Sequence, residues 1–331
     1  MQLRLLAVDV SSTMMDRDSG RPNGVVAVVG AGLAGSMMAL MLAKRGFEVE
    51  LYEKRPDFRV LERSDAKDGS HLGQSADALR RSINLALSFR GQEALRAVGL
   101  LDEIMAHIVP MPARGIHDVN GVVTLQPYGK PGQFICSASR SLLNRSLLDA
   151  CDRLPNVRCY FETAIVLLDQ DNRLTVRDER TRVERTVQPQ LVIGSDGAYS
   201  VVRTAMLRYS RMDFSREYIS HAYKELTIPA IRGPSGTPEF ALPSPHALHI
   251  WPRHDFMMIA LPNPDMCVDA VTSCARYKSC RPLWCEVHLG YYGQLLSSTS
   301  QQIPNLNKCR TTPHPGHSRA LFFSHGLNLN D

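Results

Sequence analysis

The longest uncharged stretch near the start of the chain runs from Val25 to Ala43, and its character changes half-way. Its first part is β-branched (Val25, Val26, Val28, Val29), and its second is built from helix formers (Met37, Met38, Ala39, Leu40, Met41, Leu42). Three glycines separate the two. A run of about 18 apolar residues is the usual threshold for a membrane-spanning helix, but a strand, a glycine turn and a helix account for this one without a bilayer. The helix is expected to end near Lys44-Arg45-Gly46, basic residues ahead of a glycine stop. A second strand, Glu48 to Tyr52, alternates and leads to Glu53. Later, Leu191-Val192-Ile193-Gly194 reads as another buried strand, followed by the loop Ser195-Asp196-Gly197-Ala198 and a helical stretch from Ser200 to Arg203. A strand is expected around Ile116 to Val119, and two further β-rich stretches cover Tyr218 to Ile228 and Ala247 to Leu261.

Three segments lack such patterning. Residues 1–23 hold a short apolar run, Leu3 to Val10, broken by Arg4 and Asp9 and followed by Asp16 and Asp18. Those acids do not suit an Arg-rich transit peptide, so the segment reads as a loose leader. Glu62 to Leu79 is charged, contains Gly69 and Gly73, and reads as a surface loop. Residues 266–331 carry five of the eight cysteines among Ser, Thr, Gln and Asn clusters, and are expected to form a disordered tail. Cys274, Cys280, Cys285 and His288 could be drawn as metal ligands, but the paired C-x₂-C spacing of zinc sites is missing, so no metal is expected.

Composition narrows the class. The 331 residues carry 38 Lys+Arg against 33 Asp+Glu, a net +5 spread along the chain, which excludes a strongly basic nucleic-acid arm. With 44% hydrophobic and 21% charged residues, the chain can bury a sizeable core, of about two domains at roughly 150 residues each. Eight cysteines in this length do not make a disulfide scaffold.

The glycine turn carries the first chemistry. Gly30-Ala31-Gly32-Leu33-Ala34-Gly35 is G-x-G-x-x-G placed after a strand and opening a helix. The first glycine permits the tight turn, the second leaves room for a pyrophosphate against bare backbone, and the third lets helix and strand pack closely. The helix N-terminus offers unpaired N–H groups and a partial positive charge to the phosphates. Glu53 falls near the spacing of about 20 residues at which a carboxylate takes the adenosine ribose hydroxyls. The motif alone does not choose between NAD and FAD. Asp196 sits at the carboxyl end of a strand, where ligands bind in open α/β sheets; the other reading is a turn Asp-Gly that caps a helix.

With these motifs the chain resembles the FAD-dependent aromatic hydroxylases, in particular those that act on kynurenine, from about Val25 to Asp265. The most specific stretches are Arg81-Ser82-Ile83-Asn84-Leu85-Ala86-Leu87, Gln126-Pro127-Tyr128-Gly129, Ser139-Arg140, His221-Ala222-Tyr223-Lys224-Glu225-Leu226, Leu248-His249-Ile250-Trp251-Pro252-Arg253 and Met258-Ile259-Ala260-Leu261-Pro262-Asn263. The resemblance implies an α/β fold: a Rossmann-like FAD-binding domain from 24–105 and 134–210, and a mostly antiparallel β-sheet substrate domain from 106–133 and 211–265. It implies that Gly30, Gly32, Ala34, Gly35 and the run Tyr52, Glu53, Lys54, Arg55 grip the adenosine diphosphate of FAD. Ala86, Arg140 and Ile165 match flavin contacts, and Asp196 matches a carboxylate tied to both FAD and NADPH. Arg114 and Tyr128 match the pair that holds the amino-acid carboxylate of kynurenine. A guanidinium binds a carboxylate through two parallel charge-assisted bonds and a phenol adds a third donor, so the pair makes chemical sense; each alone reads as a surface Arg and a packed Tyr.

The activity implied is hydroxylation of L-kynurenine to 3-hydroxykynurenine by NADPH and O₂ through a hydroperoxide on the flavin, in tryptophan degradation and NAD biosynthesis. Because the cofactor carries the hard step, no catalytic side chain is expected, and His107, His117 and His249 read as core or surface residues. The family continues beyond position 265 with a Gly-Asp dipeptide that this chain lacks, so the chain reads as a truncated member with an unrelated tail. An inactive isoform, or a hydroxylase of another aromatic substrate, is the alternative. Animal members end in a membrane anchor and lie in the mitochondrial outer membrane; without that anchor or a signal, a cytoplasmic location is expected. No nucleic-acid partner is expected.

Overall fold

A computed structural model describes residues 24–60, 84–217, 221–254 and 256–275. The expected leader, the polar loop 62–79 and residues 276–331 lie outside these. The chain divides into two compact units, one from 1–81, 94–101 and 141–213, the other from 82–93, 102–140 and 214–331.

The first unit is built on a parallel four-stranded sheet. β1 (Val25–Val29) lies between β12 (Leu191–Gly194) and β2 (Glu48–Tyr52), and β8 (Val157–Tyr160) extends the sheet beyond β2. The crossover from β1 to β2 is α1 (Leu33–Ala43), so the uncharged run divides into strand, turn and helix as its composition implies. α1 has 11 residues, and among the described residues no helix is long and apolar enough to cross a membrane. Alternation along β1 feeds two layers. Ala27 and Val29 pack with Tyr52 against a three-stranded antiparallel sheet, β9 (Thr163–Leu168), β10 (Leu174–Asp178) and β11 (Glu184–Val187), and against α5 (Val201–Met206). Val26 and Val28, both fully buried, are left for the α1 side, where Ala39 and Leu40 are also buried. Each such aliphatic side chain contributes roughly 1.5–3 kcal/mol by leaving water. Helix α4 (Arg140–Asp152) inserts Leu143, Leu147, Leu148 and Cys151 at helical spacing.

The second unit holds two sheets and a short β-ribbon. β3 (Leu85–Leu87), β7 (Ile135–Ala138) and β4 (Val109–Met111) form an antiparallel trio. The chain passes between the units within helix α2 (Phe89–Ala97) and around α3 (Leu101–Met105). The larger sheet has six strands in the order β13 (His221–Ile228), β18 (Val268–Ala275), β17 (Phe256–Pro262), β16 (Ala247–Arg253), β5 (Ala113–His117) and β6 (Val123–Pro127). All its pairings are antiparallel except β16 with β5. The ribbon is β14 (Ile231–Arg232) with β15 (Pro238–Glu239). Trp251, Met258, Ala260, Val268 and Ala270 make the core beneath the large sheet.

Two sequence expectations shift. The strand around Ile116 to Val119 begins earlier, at Ala113, and ends at His117, because Asp118 turns the chain by accepting the N–H groups of Asn120 and Val122. The sheet also continues past residue 265. β18 pairs with β13 over 268–275 and with β17 over 268–274, so the expectation of a disordered tail from 266 is corrected for these residues, which belong to the sheet. The overlooked signal is short: Val268 and Ala270 point inward around an outward Asp269, too few alternations to stand out before a polar region.

Candidate functional site

At the end of β1 the backbone turns through Gly30, whose φ of +98° is open only to glycine at little cost. A Cβ there would also stand 2.6 Å from the Ser195 carbonyl oxygen. A Cβ on Gly35 would collide with the Gly30 carbonyl and crowd Ser195 Oγ. Gly32 differs, since a Cβ on it would meet nothing within 4 Å. Gly30 and Gly35 are therefore closed by packing, while Gly32 leaves its backbone open.

The turn is tied down on several sides. Gly30 N–H donates to the Tyr52 carbonyl at 2.7 Å, and Ser195 Oγ donates to Val29 O at 2.7 Å and lies 3.0 Å from Gly30 O. Ser195 is a site residue that sequence reasoning missed; its position beside Asp196 was the only hint. Helix α1 starts with Gly32 as its N-cap, with no side-chain cap and no acid in its first turn. Helix geometry leaves the first N–H groups there without intrahelical partners, so the end carries partial positive charge. Ala34 is exposed on this first turn.

Glu53 sits directly after β2, 7% exposed. Its Oε2 accepts the Ala31 N–H at 3.0 Å, and its Oε1 accepts the Arg55 N–H at 3.0 Å and Arg55 Nε at 2.8 Å. Burial favours the neutral acid, but the hydrogen bond and charge of Arg55 outweigh it and hold the carboxyl below its ordinary range. Glu53 is thus a fixed anion, suited to accept from ribose hydroxyls. Arg55 keeps 60% of its side chain exposed. Lys54 is exposed, and Tyr52 is the opposite: its ring is buried and stacked on Tyr160 at 5.1 Å, with its hydroxyl 2.6 Å from Glu50 Oε2. Tyr52 is thus occupied by packing, and its carbonyl by the Gly30 N–H.

The remaining cofactor positions divide. Ile165 is buried in the core shared by β9 and β1, so its side chain is occupied by packing. Asp196 turns both oxygens to α5, accepting from Ser200 Oγ at 2.5 Å and from Val201 N at 2.6 Å. The helix-capping reading describes this geometry. In the second unit, Ala86 is exposed at the centre of β3 and Arg140 is exposed at the start of α4.

Also in the second unit, β5 and β6 bring Arg114 and Tyr128 together. Arg114 pairs with Gln126 across the hairpin, and Tyr128 N–H extends the ladder to the Pro112 carbonyl at 3.1 Å. The Arg114 guanidinium carbon lies 4.5 Å from the centre of the Tyr128 ring, within cation–π range. Arg114 is exposed, whereas the Tyr128 hydroxyl is buried and has no hydrogen-bond partner. Burial raises the phenol above its usual range, and Arg114 opposes the rise, so the hydroxyl keeps its proton and can donate. His107 is exposed, while His117 and His249 are buried and face each other. Among the described residues no group of three His, Cys, Asp or Glu could hold a metal ion.

Residues 74–247, more than half of the chain, match the family model described as FAD binding domain. The chain belongs to the FAD-binding domain family. Residues 28–84 additionally match an NAD(P)-binding Rossmann-like domain, in line with the strand, glycine turn and helix described above. The chain is similar to kynurenine 3-monooxygenase of Sus scrofa (43% identity over 238 residues, 72% of this chain and 46% of that protein). It is similarly related to the enzymes of that name from Anopheles gambiae (45% over 243 residues, 72% and 46%) and Myxococcus xanthus (43% over 242 residues, 72% and 48%). It spans about half the length of these curated relatives. Its fold resembles PqsL, a probable FAD-dependent monooxygenase from Pseudomonas aeruginosa (TM-score 0.56, 20% identity, 76% of this chain and 61% of that one). It also resembles 2-methyl-3-hydroxypyridine-5-carboxylic acid oxygenase (TM-score 0.62, 17% identity, 91% and 70%). The FAD-binding fold with a Rossmann-like core, implied by the resemblance, is the fold present.

The glycine turn fits such a ligand. Open backbone at Gly32, an uncapped helix N-terminus and a buried carboxylate at Glu53 match the pyrophosphate and ribose of an adenine dinucleotide.

Proposed function

We propose that this FAD-binding chain serves the hydroxylation of L-kynurenine at the ring carbon beside its amino group. NADPH and O₂ are consumed; one oxygen atom enters the ring, the other leaves as water, and NADP⁺ is released. The observation that carries this reading is the Arg114–Tyr128 pair on β5 and β6, in a chain whose relatives bear the name kynurenine 3-monooxygenase. When bound, FAD supplies electron transfer from NADPH and activation of oxygen.

The chain's own residues bind and orient. Gly32 and the first turn of α1 receive the pyrophosphate, and Glu53 the ribose. The Arg114 guanidinium takes the amino-acid carboxylate through two parallel N–H bonds, and the Tyr128 hydroxyl adds a third donor. Holding the substrate by its carboxylate fixes which ring carbon is presented, a gain in orientation rather than in acid–base chemistry.

The test is kynurenine-dependent NADPH oxidation by the FAD-loaded chain, with product identified by mass. Arg114→Ala is expected to raise the KM for kynurenine about 100-fold, as loss of a charge-assisted pair worth about 3 kcal/mol implies, with FAD affinity unchanged. Turnover by Arg114→Ala at the parent efficiency would overturn this reading and favour hydroxylation of an aromatic substrate without a carboxylate to clamp.

A further inference from the structure

Asn144 reaches into the glycine turn from α4. Its Nδ2 donates to the Ala31 carbonyl at 3.3 Å, and Ser36 Oγ donates to the same oxygen at 3.2 Å. The Ala31 N–H is held by Glu53 at 3.0 Å. Three side chains, from α4, α1 and the end of β2, therefore fix the one residue that lies between the first two glycines. The burial of Leu143, Leu147 and Leu148 around Asn144 sets the helix face that makes this reach possible.

The other end of the amide is unsatisfied. Asn144 Oδ1 is buried and has no hydrogen-bond partner. A buried acceptor without a donor is costly, so such an atom is unexpected where the side chain serves packing alone. A ligand hydroxyl at this place, or a water that the ligand retains, would satisfy it.

We propose that Asn144 is a positioning residue for the bound dinucleotide: its amide N–H sets the Ala31–Gly32 backbone before the ligand arrives, and its Oδ1 accepts a hydroxyl hydrogen bond once the ligand is in place. This rests on the dinucleotide reading of the glycine turn and adds to it a residue outside the G-x-G-x-x-G segment.

The test uses the full chain and two probes, FAD followed by quenching of its fluorescence and ADP followed by calorimetry. Asn144→Leu removes an unsatisfied buried acceptor and also one of the two side-chain donors to Ala31 O, opposing effects with Ser36 still bonded to that oxygen, so the melting temperature of the ligand-free protein should move by no more than about 2 °C. Its affinity for FAD and for ADP should each fall about 10-fold. Asn144→Asp supplies a pH readout: the neutral acid can donate to Ala31 O, while the carboxylate repels both that oxygen and the pyrophosphate. FAD affinity of Asn144→Asp should therefore fall as pH rises from 5 toward 8, where the parent protein stays flat. The groups nearest the Ala31 peptide, Glu53 and its partner Arg55, keep their charges across that range, so the slope belongs to position 144. Parent affinity in Asn144→Leu, or weakened binding that follows a large drop in melting temperature with no pH slope in Asn144→Asp, would overturn the assignment. If the parent binds neither FAD nor ADP, the dinucleotide reading itself fails, and with it the role of Asn144.

Discussion

His117 Nε2 lies 2.8 Å from His249 Nδ1, joining β5 to β16 through two imidazoles that are 1% and 2% exposed. Trp251 stacks on His117 with ring centres 4.0 Å apart, and Arg253 Nη1 and Nη2 donate to the carbonyls of His117 and Asp118. One ring must donate and the other accept, so the accepting ring is neutral, and the lowered pKa values of both make the pair neutral at pH 7. Burial lowers His117 to about 4, helped by His249 and Arg253; burial lowers His249 to about 4 against the pull of a Ser244 backbone hydrogen bond. The folded pKa values lie below the ordinary 6.5, so the unfolded chain binds protons first as pH falls. Stability is then fully present above pH 6.5 and declines toward pH 4, by roughly 3 kcal/mol for a ring that must take up a proton. Urea unfolding at pH 7 and pH 4.5 should show this loss, and His117→Phe should reduce it, leaving the part that belongs to His249. An unchanged pH slope in that variant would place the acid sensitivity elsewhere.

Tyr128→Phe should separate substrate holding from stability. The Tyr128 hydroxyl is buried without a partner, so deleting it removes an unsatisfied group and should leave the melting temperature unchanged or slightly higher. The ring that carries the Arg114 guanidinium remains. If the hydroxyl meets the carboxylate of kynurenine, the KM should rise about 10-fold, as a hydrogen bond to a charged group worth about 1.5 kcal/mol implies. A KM within two-fold of the parent, about half a kcal/mol, would remove Tyr128 from the substrate clamp.

Much of the first unit was legible because its signals are local. A β-branched run, glycines at fixed offsets and an alternating strand ending in Glu53 each need only neighbours in sequence. The geometry then separates glycines that look alike: Gly30 and Gly35 are filled by packing and Gly32 is open, a distinction that depends on Ser195, about 160 residues away. The same limit hid Asn144 and Arg59, whose partners lie 113 and about 90 residues away. Asp196 shows another limit. Its place after a strand suggests a ligand, and the sequence does not reveal that Ser200 Oγ and the first N–H of α5 each donate to one of its oxygens. Among the described side chains of β18, Val268 and Ala270 are inward, a short alternation set before a run of polar residues in the sequence.

Arg59 should prove a structural anchor for the segment that carries Glu53 and Arg55. It is 5% exposed and reaches Asp57 Oδ2 at 2.7 Å, Asp149 Oδ1 at 2.7 Å and Asp152 Oδ2 at 2.8 Å, the last two on α4. Burial works against its charge, but three carboxylates more than compensate and raise its pKa. Asp149 and Asp152 are 43% and 51% exposed, so water takes them back cheaply when the guanidinium is removed. Arg59→Met should therefore cost about 2 kcal/mol, less than a fully buried pair would. Arg59→Lys should cost nearly as much, because a single ammonium cannot serve three acceptors in the fork geometry. Chemical denaturation of both variants checks this; a loss in Arg59→Met alone would show that charge, not geometry, is what matters.

The glycine turn allows the sharpest separation of folding from binding. Gly32 has φ −75° and ψ −178°, ordinary extended backbone that any residue adopts, and the space beside it is empty. Gly32→Ala should fold with a melting temperature close to the parent. Its methyl group would occupy the place where a pyrophosphate approaches the backbone, so FAD affinity should fall at least 10-fold. Gly35→Ala is expected to do the reverse. Its Cβ would strike the Gly30 carbonyl, which β1, Tyr52 and Ser195 hold in place, so the strand and α1 must separate. That variant should lose several kcal/mol of stability, the cost of overpacking a site that cannot relax. Thermal melts and flavin titrations of the two proteins decide the matter. If Gly32→Ala binds FAD as tightly as the parent, the pyrophosphate does not lie on this backbone, and the cofactor site must be sought at another strand end.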